Sequence, residues 1–298
     1  MGARARTTTG RPRARRRGAL AFAVASVALL GAGCSTAPPT TSRTTLPSTV
    51  PSSTAANTPP ASTTYTLYFL RGSYLGVARR AGPASTSIAT ATLTTLLGGP
   101  SSSEVSAGLS SAIPPATRLL GIRIASGTAT VDFTREFGTP GTPGNELARV
   151  AQVVFTLGQF RSVKRVAFEI TGATPSSFGS GAVSLQKPLG ETDVLGALPA
   201  ILVETPAVGD SLHGSVHLSG LANVYEAQFN VQLVDGAGKV LLDAPVHATA
   251  GSGRWGSFDV TFPFSAQTTS MSTLRLYDIS MKDGSPIDEV DLHLPAAP

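Results

Sequence analysis

The chain of 298 residues holds a single cysteine, Cys34, so no disulfide can form within it and its fold must rest on packing. Charge is scarce too, at 14% of residues. The formal net charge of +5 comes from seven arginines among the first seventeen residues; without them the balance is 5 − 7 = −2. Aromatic residues make up 6%, with one tryptophan, and basic residues elsewhere occur at most in pairs such as Arg79-Arg80. With neither a phosphate-neutralising stripe nor a base-stacking platform, nucleic acid is excluded as a partner. Long apolar runs are also missing. The apolar segment 19–32 reaches only about 21 Å as a helix, short of the roughly 30 Å hydrocarbon core of a bilayer.

Behind the arginines, that segment completes the basic and apolar regions of a secretory signal. It ends at Leu29-Leu30-Gly31-Ala32-Gly33-Cys34, which resembles the lipobox of bacterial lipoproteins. The resemblance implies a leader over residues 1–33, a diacylglycerol or palmitate-type lipid on Cys34, and anchoring to the extracytoplasmic face of the cell membrane. Ser35-Thr36-Ala37 is a second small-x-small site, and cleavage after Ala37 would leave a secreted protein instead. Residues 34–64 read as a tether, because 22 of the 30 residues from 35 to 64 are Ser, Thr or Pro. So little apolar surface cannot offset conformational entropy, and disorder with a span of roughly 30 Å is expected.

Folding begins at Tyr65. Short β-rich runs at 66–70 and 74–80 flank the Arg71-Gly72-Ser73 turn. Ala89, Leu93, Leu96 and Leu97 mark one helical face over 87–97, stopped by Gly98-Gly99-Pro100. Strands follow at 118–125 and 129–134, joined at Ser126-Gly127. A second helix is expected with Asn145 as its cap and Leu147, Val150, Ala151, Val154 and Leu157 as its stripe, before a closing strand at 164–170. The order β-β-α-β-β-α-β predicts an α+β domain over 65–172, with two helices on one face of a small sheet. Tyr68-Phe69, Leu96-Leu97-Gly98-Gly99-Pro100, Gly108-Leu109-Ser110-Ser111-Ala112-Ile113-Pro114, Leu119-Leu120, Val131-Asp132-Phe133 and Gln152-Val153-Val154-Phe155-Thr156-Leu157 resemble the sporulation and spore germination (GerMN) domain of bacterial envelope proteins.

Residues 173–199 are rich in Gly, Ser and Pro and read as a linker. From 200 to 298 the pattern is all β, with seven runs at 201–204, 211–219, 227–234, 239–244, 257–264, 272–280 and 287–294. Asp235-Gly236-Ala237-Gly238 marks a hairpin, and Phe258, Val260, Phe262 and Phe264 alternate to one side. A β-sandwich is expected. Tyr225-Glu226-Ala227, Val234-Asp235, Gly256-Ser257-Phe258 and Asp278-Ile279-Ser280, with 214–220 and Asp283-Gly284, resemble the immunoglobulin-like domain of bacterial spore germination.

No catalytic set assembles from the sequence. There is no Gly-x-Ser-x-Gly elbow, and Gly236-Ala237-Gly238-Lys239 is too short for a phosphate loop. The four histidines, His213, His217, His247 and His293, all fall beyond residue 200. Four residues apart on a strand, His213 and His217 stand about 13 Å from each other, too far to share a zinc ion. Asp288, Glu289, Asp291 and His293 lack a calcium-loop spacing and read as a solvated strand face. Asp132, inside an apolar strand, is expected to cap a hairpin or pair with an arginine, and Glu136 and Glu146 give it no assignable acid/base partner. Catalytic, cofactor and metal residues are therefore assigned to none, and Cys34 is the single site residue.

The expected function is that of a membrane-anchored binding or assembly module of the cell envelope, tied to sporulation, germination or cell-wall processes, whose partner is an envelope protein or peptidoglycan. GerMN resemblance further implies likeness to ring-forming motifs of sporulation secretion complexes, and hence self-association. A cell-wall hydrolase accessory or regulator and a small-ligand-binding lipoprotein are the alternatives.

Overall fold

A computed structural model describes residues 62–264 and 271–295. In the first domain, β1 (Ser62–Arg71) and β2 (Tyr74–Pro83) form a ten-residue hairpin closed by Gly72 at φ +60°. Helix α1 (Ile88–Leu97) and the short α2 (Ser102–Ser106) follow, the latter fixed by a capping box between Ser101 and Glu104. A two-residue strand β3 (Leu109–Ser110) then pairs antiparallel with the end of β1. Strands β4 (Leu119–Ala125) and β5 (Thr128–Phe133) make a second hairpin. Helix α3 (Pro143–Gly158) crosses to β6 (Arg165–Ile170), which lies parallel to β5.

The expected single sheet is in fact two three-stranded sheets, β2-β1-β3 and β4-β5-β6. The reason lies along the second edge of β1. Before β3 begins, that edge is met by side chains of α3: Gln159 Nε2 donates to Thr66 O at 2.9 Å, Thr156 Oγ1 accepts from Tyr68 N at 3.2 Å, and Gln152 Nε2 donates to Tyr68 O at 3.1 Å. Helix side chains thus stand in for a neighbouring strand, and buried backbone groups are satisfied without one. Helix α3 is buried nearly all round for the same reason. Its cap also differs from expectation. Thr142 is the N-cap, Pro143 opens the helix, and Asn145 donates its backbone N–H to Thr142 Oγ1.

Residues 173–199 connect the domains but are built into the first one. Phe178, Val183, Leu185, Val194 and Leu198 are buried, and Leu189 exchanges backbone hydrogen bonds with Val166 of β6. Phe178 meets Phe137 edge-on at 5.6 Å, Phe137 stacks on Phe133 at 4.2 Å, and the Arg149 guanidinium lies over Phe178 at 5.4 Å. A segment poor in periodicity is ordered here by a few large apolar anchors.

All seven expected strands of the second domain are present: β7 (Ile201–Thr205), β8 (Ser215–Ala222), β9 (Gln228–Val234), β10 (Val240–His247), β11 (Gly256–Pro263), β12 (Ser272–Ile279) and β13 (Pro286–Leu294). They form a sandwich of a three-stranded sheet, β11-β8-β7, and a four-stranded sheet, β10-β9-β12-β13. In β12 buried and half-buried residues alternate strictly, as one packed face requires. β7 breaks that rule. Ile201, Leu202 and Val203 are all buried: Ile201 and Val203 face the sandwich interior, whereas Leu202, with Leu221 and Trp255, joins the core of the first domain. A strand covered on both faces reads as an unbroken apolar run.

Candidate functional site

The two domains are joined along β2. Arg79 N donates to Val208 O at 2.7 Å and Val208 N to Val77 O at 3.0 Å, so a short stretch of the second domain lies as a parallel strand on the β2 edge. Just beyond, Gly209 adopts φ +104°, and a Cβ there would collide with the Arg79 carbonyl. Adjacent residues of a strand point to opposite faces, and the Arg79-Arg80 pair uses this. Arg79 turns to the second domain, pairing with Asp210 and donating to Thr205 Oγ1 at 2.8 Å and Glu204 O at 3.2 Å. Arg80 turns to the first, pairing with Glu104 and donating to Gly99 O at 3.2 Å. A third tie is the Tyr68 hydroxyl, which donates to Glu204.

Where β2 runs past Gly209, the domains part and leave a cleft of about 820 Å³. Arg79, Arg80 and Ala81 form its floor; Ser101, Ser103, Glu104, Ser106 and Ala107 around α2 form one wall; Val208, Gly209, Met271, His293 and Pro295 of the second domain form the other. Domain junctions and volumes of about 300–1,000 Å³ are the usual setting of ligand sites. Its charges are internally matched. Burial by itself would raise the Glu104 carboxyl, but hydrogen bonds from Arg80 and from Ser101 N, with the Arg80 charge, hold it below its ordinary value.

Elsewhere the titratable groups are tied into the scaffold. Glu146, without solvent exposure, accepts from Gly141 N at 3.0 Å and from Ser180 N at 3.1 Å and the Ser180 hydroxyl. Burial would raise its carboxyl; the Ser180 and Gly141 donors and the Arg149 charge outweigh that and lower it. Tyr68 is shifted the other way, well above its ordinary value, by burial first and then by the Glu204 carboxylate. Glu191, lying over Gly158, is raised by burial and by Glu204, with Lys164 opposing.

The residues singled out by sequence disperse. Cys34 and residues 35–61 of the expected tether lie outside the described residues, whereas its last three, Ser62, Thr63 and Thr64, are not disordered but open β1 and pair with Pro83, Gly82 and Ala81. Asp132 accepts from Gly172 N at 3.0 Å, so it caps the turn after β6; neither the hairpin nor an arginine holds it, and Arg123 pairs with Glu169 instead. Glu136 pairs with its neighbour Arg135. His213 and His247 are exposed, His217 pairs with Asp259, and His293, hydrogen-bonded to Thr273, faces the cleft. Asp291 and Glu289 meet Arg275, an exchange across β12 and β13. Asp288 stands exposed beside them. Among the described residues no three metal-ligating side chains converge. Sequence reasoning named Glu146 and Tyr68 without finding their partners and missed Glu204; adjacent arginines inside a β-rich run were the readable sign of the junction.

Residues 66–175 match the family model described as sporulation and spore germination, and residues 200–285 match the immunoglobulin-like domain of bacterial spore germination. Among solved structures, the chain is similar to the first GerMN domain of the sporulation protein GerM from Bacillus subtilis, at 28% identity over 44% of this chain and 98% of that one, with a TM-score of 0.39. It is similar also to the tandem GerMN domains of the same protein, at 24% identity and a TM-score of 0.41, covering 61% of this chain and 59% of that one. No curated protein matches.

Proposed function

We propose, for a chain whose two domains belong to the sporulation and spore germination family and to the immunoglobulin-like family of bacterial spore germination, that it is a non-enzymatic binding and assembly module of the cell envelope. It serves sporulation, germination or an allied wall process, held to the extracytoplasmic face of the membrane by a lipid on Cys34. The observation that carries this reading is the junction: backbone pairing, Arg79 with Asp210, and Tyr68 with Glu204 make the two domains one body suited to presenting a fixed surface. Its buried charges, moreover, are engaged with one another, where general acid/base work needs a group free to exchange a proton.

The test is co-sedimentation of the protein with insoluble cell-wall sacculi, with released muropeptides assayed in the supernatant. Pelleting without release is the expected result; release would overturn the non-enzymatic reading, and a protein left wholly in the supernatant would move the partner from wall to envelope protein. Incorporation of labelled palmitate, lost in Cys34→Ser, tests the anchor. The cleft gives a specific reason to keep a second reading, binding of a small ligand, which calorimetry against muropeptides or lipid would register as saturable heat.

A further inference from the structure

We propose that the open edge of β4 takes up the C-terminal end of a partner protein, an extended apolar segment whose free carboxylate is met by Arg118. The inference names a kind of partner that the envelope reading leaves open, and it stands without that reading. The first argument is the backbone. Ala125 and Thr128 stand opposite one another across the two-residue turn Ser126-Gly127, both at positive φ, so this pair exchanges the hydrogen bonds that close the hairpin. By alternation Ile124 and Ile122 turn their N–H and C=O groups away from β5. β4 is an edge of its sheet, and no strand or loop among the described residues pairs with that side. Other edges are guarded: β10 carries Pro245, and β13 carries Asp288, Glu289 and Asp291, which turn an added strand away. β4 instead offers Ile122 and Ile124, which share a face with Val131 and Ala129, and Ile124 is 40% exposed. An extended peptide adds to such an edge through main-chain hydrogen bonds and is selected by pockets for its side chains.

The second argument is the pocket where that edge begins. A cavity of about 440 Å³ lies between the end of α1 and the start of β4. Leu97, Pro115 and Leu119 supply its apolar lining, Thr94 and Thr117 its hydroxyls, and Arg118 its only charge. Thr117 is completely buried, and its hydroxyl has no hydrogen-bond partner among the described residues. A buried polar group left unmatched is a place where a ligand supplies the missing bond. Arg118 is exposed, and its guanidinium donates to the backbone oxygens of Pro115 and Thr117 at 3.2 and 3.0 Å. Arg79 and Arg80 of the interdomain cleft are matched by Asp210 and Glu104, whereas no carboxylate among the described residues pairs with Arg118, which keeps its charge for an incoming anion. Direction then chooses the group. A strand antiparallel to β4 ends beside Leu119, which brings a carboxyl terminus to the cation and the last side chain to the apolar lining. A parallel strand would bring an amino terminus, and so a second positive charge, to the same place.

The experiment immobilises the full chain, with Cys34→Ser to keep it unlipidated. It is offered a mixture of heptapeptides, random except for a final Val, Ile, Leu or Phe, once as free acids and once as C-terminal amides, and retention is read by mass spectrometry. Free acids are expected to be retained about tenfold better than amides, a preference that Arg118→Gln removes and Arg254→Gln, at an exposed site in the second domain, leaves in place. Hydrogen exchange is the second readout: the best-retained peptide is expected to slow the amides of Ile122 and Ile124 and to leave those of Arg123 and Ala125, already bonded to β5, unchanged. Equal retention of acids and amides overturns the proposal. So does a preference that survives Arg118→Gln, which would belong to the arginines of the first seventeen residues. Unchanged exchange at Ile122 and Ile124 would place the peptide away from β4 and overturn it as well. Protection of those amides without peptide, growing with protein concentration, would make a second copy of the chain the occupant instead.

Discussion

Glu146 shows what a single side chain does in this scaffold. It ties the start of α3 to Gly141 and to Ser180, and it supplies the countercharge near Arg149, whose guanidinium also donates to Phe137 O and Thr139 O at 2.6 and 2.8 Å. Glu146→Ala strands two backbone donors and a buried cation, so a loss of about 3 kcal/mol in urea unfolding is expected. The pH dependence follows from the direction of the shift. Glu146 and Glu104 sit below their ordinary value of 4.5 in the folded protein, so the unfolded chain binds more protons. Their stabilisation is complete above about pH 4.5 and is lost as pH falls through the lowered folded values. Glu191 has the opposite sign, since its folded carboxyl is raised and its ionisation at neutral pH works against folding. Glu191→Gln should therefore raise the urea midpoint at pH 7 and leave it nearly unchanged at pH 4.

At the scale of elements, α3 decides the architecture. Gln152 serves two parts of the chain, donating to Tyr68 O and accepting from Ala112 N at 2.8 Å. Gln152→Leu keeps the bulk and removes both bonds; a loss of about 2 kcal/mol is expected, with faster amide exchange at Ala112 as the local readout. The seven strands of the sandwich and both long helices were legible because periods of two and 3.6 survive wherever one face is buried. The division of the first domain into two sheets was not, because Gln152, Thr156 and Gln159 read as ordinary polar residues on a helix until β1 is seen beside them. The α3 cap could have been read correctly, since Thr142-Pro143 is a better start signal than Asn145. The packing of 173–199 could not, because Phe178 and Leu185 are scattered through glycine and serine without a period. The cleft was equally hidden, being made of residues from five separate stretches that only the fold brings together.

For the whole molecule, the junction sets how it unfolds. With Leu202, Leu221 and Trp255 packed into the core of the first domain, calorimetry should give one transition for both domains. Gly209→Ala would force a Cβ onto the Arg79 carbonyl at a left-handed position and prise residues 207–210 from β2. Two resolved transitions, or a midpoint lowered by several degrees, are expected for that variant, and an unchanged thermogram would show that the junction contributes little. The same burial bears on modularity. The family match for the second domain begins at residue 200, as though evolution could cut there. A fragment starting at that point would present Leu202, Leu221 and Trp255 to water as one greasy face. Such a piece would stick to itself or to the first column it met, so apparent oligomers and promiscuous pull-downs from the isolated domain would report a wound rather than a binding site.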